Sequence, residues 1–244
     1  MHSRYFQRLI AVFVVLLIAV GSAGAANAQH VGVTQPVSYK VAQQSGTVIA
    51  DLGFRPGANG FGFANYGSET KATNLTATEM RRLLGDGACA RITGDTCDLV
   101  PEVQQLMDQF NQMIGGGHCE GMAVLSDLFY NGQLKPSDFG QDSPIGLTLD
   151  GNDKLQREIA YWWSTQLLKK INALAVKDKS PKDLVDILVA SMKAKSEYYV
   201  FHLFQPGFKN GHAITPYQVQ DMGNGIIHVM VYDKIGRASC RERV

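Results

Sequence analysis

Cys119 stands where three glycines, Gly115-Gly116-Gly117, give way to His118, Glu120, Gly121 and an apolar stretch that begins at Met122. A thiol attacks carbon only as thiolate. That form is favoured by the positive end of a helix, by a nearby imidazole and by enough exposure to reach a substrate. A glycine turn running into a helical pattern supplies the first of these. His118 cannot supply the second, because adjacent residues on a helix do not face each other, and a charge on Glu120 would oppose the thiolate. The base must come from elsewhere in the chain. Three histidines lie downstream, His202, His212 and His228. His202 and His228 fall inside strand-like runs, where a satisfied histidine on a sheet face is the ordinary case. His212 instead follows Lys209-Asn210-Gly211 and opens a strand, which places it at a sheet edge where it can face another lobe. The strand that pairs with it across Gly223-Asn224-Gly225 ends at Asp233, nearly opposite His212, so a carboxylate is at hand to orient the imidazole. Cys119, His212 and Asp233 are therefore read as nucleophile, general base and orienting acid. The chemistry is thiolate attack on an acyl carbon, an oxyanion held by backbone N–H groups, and a thioester passed to water or to an amine. A metal site at His118, Cys119, Glu120 and His212 is disfavoured, since sequence neighbours rarely converge on one ion and the usual ligand spacings are absent. No metal and no cofactor is expected.

These residues need elements to hold them. Thr78 is expected to cap a helix that Gly85 stops. Pro101 opens another, in which Val103, Leu106, Met107, Phe110 and Met113 fall at helical spacing up to the glycine turn. A helix from about His118 carries Met122, Leu125 and Phe129 on one face and ends near Gly132. Residues 155–174, with Trp162 and Trp163, read as one long helix, and Ser180-Pro181 with Asp183 starts another through Met192. The character then changes: 197–204, 212–219 and 226–233 are β-branched and aromatic runs, the last two joined as a hairpin. The fold class is α+β, a helical lobe carrying the nucleophile followed by an antiparallel sheet lobe carrying His212 and Asp233. Residues 29–98 are rich in Gly, Asn, Thr and Ser and read as an irregular lead segment to a domain over 99–233.

The two ends set the compartment and the charge. Arg4 and Arg8 precede an apolar stretch over 9–20 and small residues ending at Ala26-Asn27-Ala28, the pattern of a secretory signal peptide over 1–28. Its apolar part is too short for a membrane span, which takes roughly 20 residues, so a secreted or periplasmic protein with no membrane partner after cleavage is expected. At the other end, residues 234–244 have no apolar period and resemble a translated sequencing adapter. They are set aside as a scar, and the natural chain is expected to continue past Asp233, leaving the domain incomplete and C-terminally truncated. Without Arg4, Arg8, Lys234, Arg237, Arg241, Arg243 and Glu242 the formal charge of +1 becomes about −4. That balance offers no basic face to a nucleic acid, and nothing in it bears on oligomeric state. Of Cys89, Cys97, Cys119 and Cys240, the last lies in the scar. Cys89 and Cys97 flank a short polar loop whose Gly94 and Asp95 let the chain turn back, so a disulfide between them is expected in an oxidising compartment. Cys119 is then the unpaired thiol, and its flanking glycines argue against deep burial. Asn74-Leu75-Thr76 also matches the N-glycosylation acceptor pattern.

The motifs around Cys119 (Gly116 to Ser126), His212 (Gly211 to Val219) and Val231-Tyr232-Asp233 together resemble the papain-like cysteine peptidases, in particular the bacterial, exported, C39-like branch of that superfamily, over residues 99–233. The resemblance implies a papain-like fold acting on a peptide or amide substrate, with Cys119 as nucleophile, His212 as base and then acid, and Asp233 as orienting group. It also implies an oxyanion hole completed by an amide side chain upstream of the nucleophile, for which Gln112 is the nearest candidate and Asn111 the next. Glu120-Gly121 stands where the plant-type pattern has a tryptophan, which leaves the substrate open. A transglutaminase-like acyltransferase or a peptidoglycan amidase would use the same three residue types in the same order. A secreted binding domain would keep Cys119 as an inert buried thiol.

Overall fold

The computed structural model describes residues 16–17, 46–205 and 209–234. The expected leader therefore lies outside the described residues apart from Leu16–Leu17, as does the segment 234–244 apart from Lys234. In chain order the elements are β1 (Leu16–Leu17), β2 (Thr47–Asp51), α1 (Pro56–Asn59), α2 (Ala77–Leu84), β3 (Cys89–Thr93), β4 (Thr96–Leu99), α3 (Pro101–Ile114), α4 (Cys119–Tyr130), α5 (Asp153–Thr165), α6 (Lys169–Asn172), α7 (Pro181–Ala194), β5 (Phe201–Gln205), β6 (Lys209–Gly223) and β7 (Ile226–Tyr232). The architecture is mixed α+β with antiparallel sheets, to which β1 adds a short parallel pairing with β5. Among the described residues no helix is long and apolar enough to cross a membrane.

Helix boundaries follow local chemistry. Pro101 takes the first position of α3, and Ser180 with Asp183 forms a capping box on α7. The cap of α2 is Thr76 and not Thr78, because Glu79 completes a capping box only from the third helical position, where it receives the Thr76 N–H at 2.9 Å. The single helix expected over 155–174 is broken into α5 and α6. At the break, the Ser164 hydroxyl donates to the Ala160 carbonyl at 2.8 Å and the Thr165 hydroxyl to the Trp162 carbonyl at 2.7 Å. Side-chain bonds of that kind compete with the helical ladder.

The long strand β6 is the spine of the main sheet. Its first part pairs with β5, with His202 opposite Ala213 and Leu203 opposite His212. Its second part pairs with β7, from Thr215 opposite Tyr232 to Gly223 opposite Ile226, and with β2, where Asp51 lies opposite Gln218. The register slips between Pro216 and Gln218; proline has no N–H for a ladder bond and is accommodated in a sheet at such irregularities. The lead segment is thus less irregular than its composition indicates. Strand β2 belongs to the main sheet, Phe54 and Phe61 are buried, and the Phe61 N–H donates to the Tyr232 hydroxyl at 2.8 Å. Strands β3 and β4 form a separate hairpin closed by the Cys89–Cys97 disulfide.

Helix α4 lies at the centre. All its residues from Glu120 to Phe129 are buried, so the helix is enclosed on every face and not only along the Met122, Leu125 and Phe129 stripe. It packs against α5 and β6, and Gly121 sets the closeness of the first contact, since a Cβ there would stand 1.9 Å from the Ile159 carbonyl oxygen. Gly121→Ala is therefore expected to cost about 3 kcal/mol, because backbone on the far side must retreat. The measurement is the midpoint of chemical denaturation; an unchanged midpoint would mean that α5 moves aside without cost.

Candidate active site

The entry to α4 is built from both sides of the sequence. Helix α3 unwinds through Gly115, Gly116 and Gly117, whose N–H groups bond the carbonyls of Asn111, Met113 and Ile114. Gly117 has φ +145°, a conformation that side-chain-bearing residues rarely adopt. The next N–H, that of His118, is held by the Asn65 Oδ1 at 2.8 Å and the Tyr66 carbonyl at 3.2 Å. The His118 ring is buried and stacked on Tyr66 with centroids 3.8 Å apart. Its Nδ1 lies 2.8 Å from the Tyr66 carbonyl and its Nε2 2.8 Å from the side-chain amide of Asn74. Burial pushes its pKa down to about 4 against the pull of the Tyr66 carbonyl. His118 fastens the loop and does not serve Cys119, and the sequon residue Asn74 spends its amide on that ring.

Cys119 is the first residue of α4, with its side chain partly buried. Helix geometry leaves first-turn N–H groups without intrahelical partners, and their positive field favours an anion. The thiol meets the His212 imidazole and the Ala213 N–H. His212 Nε2 lies 2.7 Å from Asp233 Oδ1, which leaves Nδ1 as the ring nitrogen for Cys119. Burial pushes the thiol up, but the His212 hydrogen bond and charge, with the Ala213 N–H, outweigh it and hold the thiol below its ordinary value. Burial likewise works against a charged His212; the hydrogen bonds to Asp233 and Cys119 prevail and push it up to about 9. Both shifts favour a thiolate–imidazolium pair, the reactive form of a cysteine nucleophile.

The structure thus brings together Cys119, His212 and Asp233. His212 and Asp233 meet diagonally across the sheet, because Tyr232 is already opposite Thr215. Glu120 turns away from the thiol to His202, with Oε2 and Nε2 2.5 Å apart. His228 lies on β7 opposite Gln220. The upstream amides are a correction. Gln112 is exposed on α3, and Asn111 is committed to Leu75, accepting its N–H at 2.9 Å and donating to its carbonyl at 3.0 Å. Asn65 sets a side-chain amide against the backbone entering Cys119, at the His118 N–H and beside Gly117. Its backbone N–H donates to the residue 234 carbonyl at 2.7 Å, a main-chain contact that requires no particular side chain at that position. Among the described residues, no three His, Cys, Asp or Glu side chains are grouped to hold a metal ion.

Comparison with family models, curated proteins and solved structures returns no match. The functional reading therefore stands on the geometry of these side chains.

Proposed function

We propose that the chain is an exported, thiol-dependent amide hydrolase, a peptidase or amidase of papain-like arrangement. The observation that carries the reading is His212 standing between the Cys119 thiol and the Asp233 carboxylate, with the thiol at the N-terminus of a buried helix packed on an antiparallel sheet. The Cys119 thiolate attacks the amide carbon, and the developing oxyanion is received by first-turn N–H groups of α4 and by the Asn65 amide. The His212 imidazolium gives its proton to the leaving amine. The neutral ring then takes a proton from the water that cleaves the thioester, which returns the pair to its starting state. Export is supported by the leader pattern and by the Cys89–Cys97 disulfide.

Two pH profiles of different shape test this reading. Alkylation by iodoacetamide needs only the thiolate, so Cys119 in the folded protein is expected to label at pH 6 at least about tenfold faster than free cysteine, whose thiol titrates near 8.5. Hydrolysis of general amide substrates needs the imidazolium as well, so its rate is expected to fall on the alkaline side as His212 loses its proton near pH 9. Labelling should show no such fall. A Cys119 that reacts only after unfolding would sink the reading and leave an inert buried thiol.

A further inference from the structure

Directly behind the nucleophile lies a second buried pair that the catalytic reading does not use. Glu120 is the residue after Cys119, and its side chain is 2% exposed; His202 on β5 is 4% exposed, and the two meet at 2.5 Å. Glu120 Oε1 has no hydrogen-bond partner among the described residues. Burying a carboxylate and an imidazole costs about as much as their attraction returns, and apolar residues of similar volume are often no worse for stability. The placement of the pair is more telling than its strength. His202 is the cross-strand partner of Ala213, Ala213 offers its N–H to the Cys119 thiol, and Cys119 is bonded to Glu120. The four residues close a ring that includes the nucleophile.

We propose that the Glu120–His202 pair is a positioning clip that fixes the first turn of α4 against β5 and β6, and so sets the Cys119 thiol against the Ala213 N–H and the His212 ring. This rests on the proposed thiolate chemistry. Neither residue touches the substrate. The clip is needed because α4 and β6 approach from separate parts of the chain, and an error of about 1 Å between nucleophile and base can cost on the order of 10²-fold. It also gives Glu120 a place beside the nucleophile: drawn toward β5, its carboxylate does not stand against the thiolate. Among the described residues, the other titratable groups around the ring are His212 on β6, Asp233 after β7, Asp127 on α4 and Lys234; burial holds the Asp127 carboxyl well above the usual range against the influence of Lys234.

The test is the pH profile of Cys119 alkylation in the full chain, read below the melting temperature, which a merely structural pair would leave in place. Glu120→Gln keeps an oxygen for His202 and is expected to label within about threefold of the parent at pH 6. The doubled variant Glu120→Leu with His202→Leu removes the clip without leaving a buried charge. It is expected to melt near the parent, to label about tenfold more slowly at pH 6, and to reach full reactivity only at higher pH. A folded doubled variant with the parent's profile would overturn the proposal, as would a Glu120→Gln protein impaired as much as the doubled one. Should the doubled variant not fold, His202→Gln, which keeps a donor for Glu120, is compared with His202→Ala; equal profiles overturn the proposal and a slower His202→Ala supports it. A parent protein with no fast labelling at pH 6 would instead refute the thiolate reading on which the proposal stands.

Discussion

Cys119→Ala and His212→Ala are each expected to slow amide hydrolysis by about 10⁶-fold, leaving only what binding and the oxyanion donors supply over water, and Asp233→Ala by about 10⁴-fold. The order follows from the roles. Without the thiol there is no covalent step. Without the imidazole the thiol lacks its partner charge, and the leaving amine lacks a proton donor. Without the carboxylate the ring is present but unoriented, and the imidazolium is less favoured. The effects should not add, because the three groups act as one unit: joining Cys119→Ala to His212→Ala should leave the rate where Cys119→Ala alone puts it. Asp233 also sets the alkaline limit. Burial alone would lower the His212 pKa, and the bonds to Asp233 and Cys119 raise it to about 9. A raised histidine pKa contributes stability that is complete below the unfolded value of about 6.5 and is lost as pH rises through the folded value. Asp233→Asn should therefore lose activity at lower pH than the parent, hold less of this stability below about pH 6.5, and lose less as pH rises from about 6.5 to 9. A Cys119→Ala protein that kept its activity would place the chemistry at another residue.

The meeting of Cys119, His212 and Asp233 could be read from sequence because turns flank the elements that carry Cys119 and Asp233. Three glycines announce the turn before Cys119, and the Gly223-Asn224-Gly225 turn, with positive φ at all three residues, fixes a hairpin that brings Asp233 back toward the His212 strand; His212 itself does not open that strand but lies within β6, opposite Leu203, because the chain is already paired with β5 from Lys209. The exact pairing was not readable, because slips at Pro216 and after Asp221 shift the register by amounts that no alternation pattern records. The partners that support the triad were less accessible still. Asn65 reaches His118, and Glu120 reaches His202, across packed interfaces that join distant parts of the chain. Nothing in the Phe-Ala-Asn-Tyr-Gly stretch marks its asparagine as the side chain that holds the His118 N–H, one residue before Cys119, and proximity in sequence points instead to Gln112 on the far side of the glycine turn. The capping box of α2 shows the opposite case: the signal was local, and the only error was which of two threonines stood three residues before the acid.

Asn65→Asp is expected to slow hydrolysis by about 10²- to 10³-fold, the size of effect seen when one oxyanion donor is removed. The substitution separates two jobs of one side chain. Oδ1 accepts the His118 N–H at 2.8 Å, and only an oxygen can do so, which assigns the other end of the amide to the NH2 group. That end lies beside Gly117, where a Cβ would come within 3.1 Å of Nδ2. Aspartate retains the acceptor that holds the loop and loses the donors, so the melting temperature should stay near the parent's while the turnover number drops. The added negative charge also opposes the thiolate, so Cys119 labelling is compared at the pH where it has levelled off, and there it should be unchanged. The loss belongs in kcat more than in KM, because the donors strengthen their hold as the carbonyl oxygen takes on charge. Asn65→Ala removes the acceptor too; it should lose hydrolysis to a similar degree and stability in addition, since the His118 N–H would be left with the longer 3.2 Å contact to the Tyr66 carbonyl. An Asn65→Asp protein that turned over at the parent's rate would assign the oxyanion to the backbone N–H groups of α4 alone and reduce Asn65 to a fastening for the loop.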